Sequence, residues 1–203
     1  MQELNDKFKD AIWVGESIFR RNKTSGSSAN MSFRHGDRIY ITGSGTCFGR
    51  LTEGNFSVLD LEGNLLSGPK PSKEYPLHLM MYRKENIGAV IHTHGTYCVL
   101  WSCVSQEPDS DFLPSYTPYL DMKLGPVKAI GYCAPGSQVL FQAVGAALDD
   151  RNGYVLKNHG AVVRGKSIMD AFYGMEELEE SAKIAFLLEG RGVLRLDSGG
   201  KAL

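Results

Sequence analysis

The sequence predicts one α/β domain whose sheet has an antiparallel component. Three observations carry this: a helical apolar period near each end, short β-prone runs punctuated by turn residues in the first half, and two apolar strand-like runs that each lead to a histidine. From Leu4 to Arg21 the apolar positions Leu4, Phe8, Ala11, Ile12, Ile18 and Phe19 keep a helical period, which Asn22 to Gly26 ends. Met31–Arg34, Arg38–Thr42 and Phe56–Asp60 are brief strands, and Glu62-Gly63-Asn64 is a turn signal. Ser72 caps a helix from Lys73 to about Lys84, with Pro76 tolerated in its first turns. The strand ending in His92 precedes a helix over Thr96–Val104, a polar loop around Pro108 and a strand over Val127–Ile130. A helix from about Ser137 to Leu148 and the strand leading to His159 come next. Ser167 and Asp170 then form a capping box for a last helix to about Leu188, with Glu176, Glu177, Glu179 and Glu180 as a solvated face. We expect a single domain over residues 1–190 and a flexible, Gly-rich tail over 191–203.

Composition narrows the function classes. The 22 Lys and Arg nearly balance 23 Asp and Glu, so the chain lacks the basic field of a nucleic-acid binder. Cys47, Cys98, Cys103 and Cys133 form no C-x-x-C pair, the N-terminus has no signal-like apolar core, and no apolar run reaches membrane-spanning length. A reduced, cytoplasmic protein with no membrane partner is expected.

His92-Thr93-His94 closes the apolar run from Ile87. Residues i and i+2 leave a strand on the same face, so two parallel imidazoles make half of a divalent-metal site. His159 lies where a second apolar run meets a glycine, and Glu74 could supply a carboxylate that also exchanges protons. His35 and His78 have no partner pattern and read as structural or exposed. Three small polar clusters, Thr24–Asn30, Thr42–Thr46 and Ser72-Lys73, could each receive an anion. Together with a metal site they suggest a phosphorylated small-molecule substrate.

The strings Gly26–Ser32, Ile41–Gly45, Pro71–Glu74, Val90–His94 and Asn158–Gly160 resemble, in order and spacing, the class II aldolase/adducin family. That resemblance implies a three-layer αβα domain around a mostly antiparallel sheet, assembled as a homotetramer with sites at subunit interfaces. It implies Zn2+ on Glu74, His92, His94 and His159, and a phosphate site from Ser27, Asn30, Ser44, Gly45 and Ser72. Within the family, Ser28–Arg34, Thr46–Leu51, Lys70–Glu74 and Met122–Gly125 look like the branch that decarboxylates 3-oxo-tetronate 4-phosphate to dihydroxyacetone phosphate in four-carbon sugar-acid breakdown. Sugar-phosphate aldolases of the family typically carry Ser-Ser-Glu where this chain has Ser72-Lys73-Glu74.

Glu74 would then manage the proton returned to carbon, and Lys73 would orient the substrate's carboxylate or phosphate. An aldolase acting on a ketose 1-phosphate such as L-fuculose 1-phosphate is the alternative reaction on this site. A non-enzymatic, metal-dependent interaction module is the alternative of a different class. Tyr116, Tyr119 and Tyr132 are candidates for donation by a neighbouring subunit.

Overall fold

A computed structural model describes residues 2–196. Among them, eight strands form one sheet in the order β4-β3-β2-β1-β5-β8-β7-β6. The strands are β1 (Asn30–His35), β2 (Arg38–Thr42), β3 (Phe56–Leu59), β4 (Leu65–Ser67), β5 (Ala89–Thr93), β6 (Val127–Ile130), β7 (Gly153–Leu156) and β8 (Gly160–Gly165). Every neighbouring pair is antiparallel except β6 and β7.

Helices cover both faces. Strand side chains alternate between faces, and the core divides accordingly. Tyr40, Ala89, Ile91, Ala161 and Val163 face one apolar cluster with α1 (Gln2–Arg20), α3 (Thr96–Val104), α4 (Tyr119–Lys123) and α6 (Ile168–Leu188). Their neighbours Ile39, Ile41, Val90 and Val162 face the other, with α2 (Tyr75–Met81) and α5 (Gln138–Ala147). The result is a three-layer α/β fold around a mostly antiparallel sheet.

Phe8 fixes α1 to the sheet by edge-on contacts with Phe33, Tyr40 and Phe56 at 5.2, 5.5 and 5.4 Å between ring centroids. Phe33 and Tyr40 are register partners on β1 and β2 and stack on each other. Aromatic pairs of this kind are worth about 0.5–1.5 kcal/mol beyond their buried area.

Several expected elements differ in detail. The helix expected from Lys73 begins at Tyr75 with Glu74 as its N-cap, because Ser72 is held by the end of β2: its N–H donates to the Thr42 carbonyl at 3.1 Å. The solvated-face reading of the α6 glutamates fails at Glu179. That carboxylate is buried and accepts the N–H groups of Tyr97 and Cys98 at 2.8 and 3.0 Å, satisfying the free donors at the α3 N-terminus. Ser167 does cap α6, accepting from the Asp170 N–H, while Asp170 accepts from Lys166 rather than from Ser167 itself. Of the expected tail, residues 197–203 lie outside the described residues; before them, Arg195 pairs with Glu107 and the Leu196 N–H donates to the Ser115 carbonyl.

Candidate active site

The parity of β5 decides what meets His92. Ala89, Ile91 and Thr93 point toward α6, where the Thr93 hydroxyl reaches the Met175 sulfur, whereas Val90 and His92 point toward α2. The N-terminal end of α2 carries Glu74, so the imidazole and the carboxylate meet on one face of the sheet. His92 Nε2 lies 3.3 Å from Glu74 Oε2. His94 follows just beyond the strand end, its Nε2 3.1 Å from that of His92.

His159 arrives from the tight turn between β7 and β8. Asn158 takes a left-handed conformation at φ 59°, which asparagine tolerates better than most residues, and its N–H is held by the Ser102 hydroxyl at 2.8 Å. Gly160 then lies against β5, where a side chain has no room. The pairing of Ala161 with Thr93 and Val162 with His92 brings this turn to the end of β5. There His159 Nε2 sits 3.5 Å from Glu74 Oε1.

The four side chains fit a metal ion. The ligand nitrogens of His92, His94 and His159 lie within 4.8 Å of one another. The separations of 3.1, 3.3 and 3.5 Å compare with roughly 3.3–3.5 Å between ligand atoms on a tetrahedral zinc. Glu74 Oε1 and both ring nitrogens of His159 are buried with no hydrogen-bond partner, and a metal would satisfy the carboxylate oxygen and one of the two nitrogens. His92 Nδ1 donates to the Ala161 carbonyl at 2.9 Å, which leaves the Nε2 lone pair facing its neighbours.

Electrostatics favour the metal-ready form. Burial, then the neighbouring imidazoles, drives the His92 pKa well below the usual histidine range. His94 and His159 are lowered as well, first by burial; His159 and Lys73 add to the effect on His94, Lys73 adds to it on His159, and Glu74 opposes it on both. A divalent cation needs unprotonated imidazoles, and this site supplies three.

A cavity of about 210 Å³ opens beside the histidines, lined by Ser27, Asn30, Ser44, Gly45, Ser72, Lys73, Glu74 and His94 among others. All six residues expected to bind substrate therefore line one cavity. Their chemistry is narrower than the sequence suggests. The N–H groups of Ser44 and Ser72 are spent on the Lys70 and Thr42 carbonyls, so these two serines offer a ligand their hydroxyls. The Asn30 amide is also committed, donating through Nδ2 to Glu74 Oε2 at 3.1 Å. Lys73 is exposed, and its aliphatic stem lies over Gly136, whose φ of 74° and lack of a side chain leave it room. Tyr119 and Tyr132 are exposed, while Tyr116 is half-buried beneath Arg195.

His78, read from the sequence as structural or exposed and given no part in the site, is fully buried one helical turn beyond Glu74. Its signal was the spacing: residues i and i+4 share a helix face, so whatever holds Glu74 can also be reached by His78.

Fold and site together define an α/β protein whose strand-end histidines, with a glutamate at the start of a helix, form a cluster able to hold a metal ion. The chain belongs to the family described as Class II Aldolase and Adducin N-terminal domain, whose model matches residues 9–186. It is 39% identical over 184 residues to a 3-oxo-tetronate 4-phosphate decarboxylase of Haemophilus influenzae, covering 90% of this chain and 88% of that protein. It is 37% identical over 180 residues to an L-fuculose phosphate aldolase of Methanocaldococcus jannaschii, covering 88% of this chain and 95% of that one. The crystal structure of YgbL from Escherichia coli superimposes with a TM-score of 0.90 at 34% identity, over 95% of this chain and 94% of that chain. The chain is accordingly an enzyme of the lyase class, and the interaction-module alternative is set aside.

Proposed function

We propose that this chain decarboxylates 3-oxo-tetronate 4-phosphate to dihydroxyacetone phosphate and CO2, with zinc held by His92, His94, His159 and Glu74. The observation that carries this reading is the position of Lys73. A cation stands between a serine on the cavity wall and the metal-site carboxylate, close enough to bear on both His94 and His159. A substrate with a carboxylate at one end and a phosphate at the other gives such a cation a partner.

Zinc, when bound, supplies a Lewis acid that steadies the negative charge left on the substrate as CO2 departs. The chain does the rest. The hydroxyls of Ser27, Ser44 and Ser72 hold the phosphate, and Lys73 orients the carboxylate that leaves. Asn30 keeps Glu74 in place by its 3.1 Å hydrogen bond, and Glu74 takes up a proton from solvent and passes it to the carbon that lost CO2. The similarity to the decarboxylase of Haemophilus influenzae supports this assignment. A zinc-dependent aldolase acting on L-fuculose 1-phosphate is the second reading, favoured by the similarity to the archaeal aldolase. Carbon dioxide release from synthetic 3-oxo-tetronate 4-phosphate, run beside a panel of ketose 1-phosphates for aldol cleavage, separates the two.

We also take residues 1–190 as one domain that assembles as a homotetramer, with active sites at subunit interfaces, in the cytoplasm. The free cysteines suit a reducing compartment, and among the described residues no helix is long and apolar enough to cross a membrane.

A further inference from the structure

Behind Glu74 runs a buried chain of hydrogen bonds whose direction is forced at every step. The Glu74 carboxylate can only accept, so Asn30 must turn its amide N–H toward it, leaving Asn30 Oδ1 as an acceptor. That oxygen lies 2.5 Å from His78 Nε2, which must therefore carry the ring proton. His78 Nδ1 is then bare and accepts from the Ser32 hydroxyl at 2.8 Å; with its proton so used, Ser32 accepts from the Tyr82 hydroxyl, also at 2.8 Å. All five residues are buried, and a charged imidazole here would break the order. Burial holds the His78 pKa down at about 3, so the ring stays neutral.

We propose that His78 is a positioning residue for Glu74: acting through Asn30, it holds one carboxylate oxygen and thereby sets the plane of the other. The consequence is visible at the two oxygens. Oε2 receives the Asn30 N–H, whereas Oε1 has no hydrogen-bond partner and faces His159 at 3.5 Å. Without the Nε2–H of His78 the buried Asn30 Oδ1 loses its donor, and the single hydrogen bond to Glu74 is left to fix the amide. Asn30 and the carboxylate it holds can then shift together.

The inference rests on the proton-handling role proposed for Glu74, and the test keeps the two apart. His78→Leu removes the donor, while His78→Gln keeps an N–H near the position of Nε2. At matched zinc content, His78→Leu is expected to lower kcat about ten- to a hundredfold with KM little changed, the range typical of groups that orient metal-site residues. His78→Gln is expected to recover most of that loss. A purely structural role would lower both variants alike and would shift thermal stability without a kcat-specific effect. Ring-15N histidine NMR of the wild type, metal-free and zinc-loaded, gives a readout independent of turnover: the His78 signal, identified by its loss in His78→Gln, should show a protonated Nε2 and a bare Nδ1. A proton on Nδ1, or a His78→Gln variant that is folded and zinc-loaded yet as slow as His78→Leu, overturns the proposal. If His78→Leu does not fold, the tautomer and the His78→Gln rate decide it. Normal turnover in Glu74→Gln would instead remove the role of Glu74, leaving the tautomer to report on the hydrogen-bond chain by itself.

Discussion

Gly160 lies so close to Thr93 that a methyl group added at its Cα would stand 2.2 Å from the Thr93 carbonyl oxygen and 3.1 Å from the His94 ring. This contact joins the turn bearing His159 to the strand bearing His92. Gly160→Ala should therefore push β8 from β5 where the two histidine segments meet. Overpacking of this kind costs about 1–3 kcal/mol. Chemical denaturation should show that loss, and a zinc titration should show affinity falling with it, since two of the ligand segments no longer register. Wild-type zinc affinity in Gly160→Ala would mean that the β5–β8 contact does not set the site.

Glu179 makes a second prediction. Its carboxylate accepts the two N–H groups at the start of α3, and Gly95 is packed against it. Glu179→Ala leaves both donors without a partner in a buried place and should cost about 2–3 kcal/mol in unfolding free energy. Glu179→Gln, which still offers one acceptor oxygen, should lose less. Equal stability of all three proteins would show that water replaces the carboxylate.

The strands and helices that sequence reading located well are those with their own pattern. Arg38–Thr42, Thr96–Val104 and Val127–Ile130 were expected with the observed bounds because alternation or apolar density stops sharply at polar residues or glycine. The three-residue β4 is exposed throughout and α4 is only five residues long, too short for a period to register. β8 escaped because Gly160-Ala161-Val162-Val163 follows His159 directly and shows no alternation, being buried on both faces.

The site divides the same way. Strand parity led to the pairing of His92 with His94, which meet at 3.1 Å although His94 lies just past the end of β5. His159 stood out by its place at the end of an apolar run, but its approach to His92 depends on β5–β8 pairing across a long stretch of sequence, which local pattern does not contain. Glu179 looked solvated because helix periodicity cannot show that another helix points its N-terminus at that spot.

Stability of the metal-free protein should fall with acid in a defined window. An unfolded His78 binds a proton below about pH 6.5, whereas the folded one resists it down to about 3. Between those values the unfolded state holds more protons, so stability that is fully present above pH 6.5 is lost as pH falls toward 3. His78 alone should account for about 2 kcal/mol by pH 5. Urea denaturation across pH 4 to 8 should give a steeper acid slope for wild type than for His78→Gln. Identical slopes would mean the buried imidazole is not kept neutral.

Lys73→Ser recreates the Ser-Ser-Glu string of the family's aldolases. Losing a charge-assisted hydrogen bond to substrate should lower decarboxylation kcat/KM by roughly ten- to a hundredfold, about 1.5–3 kcal/mol. Zinc content should not change, because lysine is no ligand here. Unchanged kcat/KM at matched zinc would leave Lys73 a surface residue.

The most direct test of the proposed chemistry is CO2 release from synthetic 3-oxo-tetronate 4-phosphate by zinc-loaded wild type and Glu74→Gln, with ketose 1-phosphates assayed in parallel. The account predicts one CO2 and one dihydroxyacetone phosphate per substrate from the wild type, no comparable aldol cleavage, and a loss of about a hundredfold or more in Glu74→Gln with zinc retained by the three histidines. Aldol cleavage without CO2 release, or near-normal decarboxylation by Glu74→Gln, would contradict it.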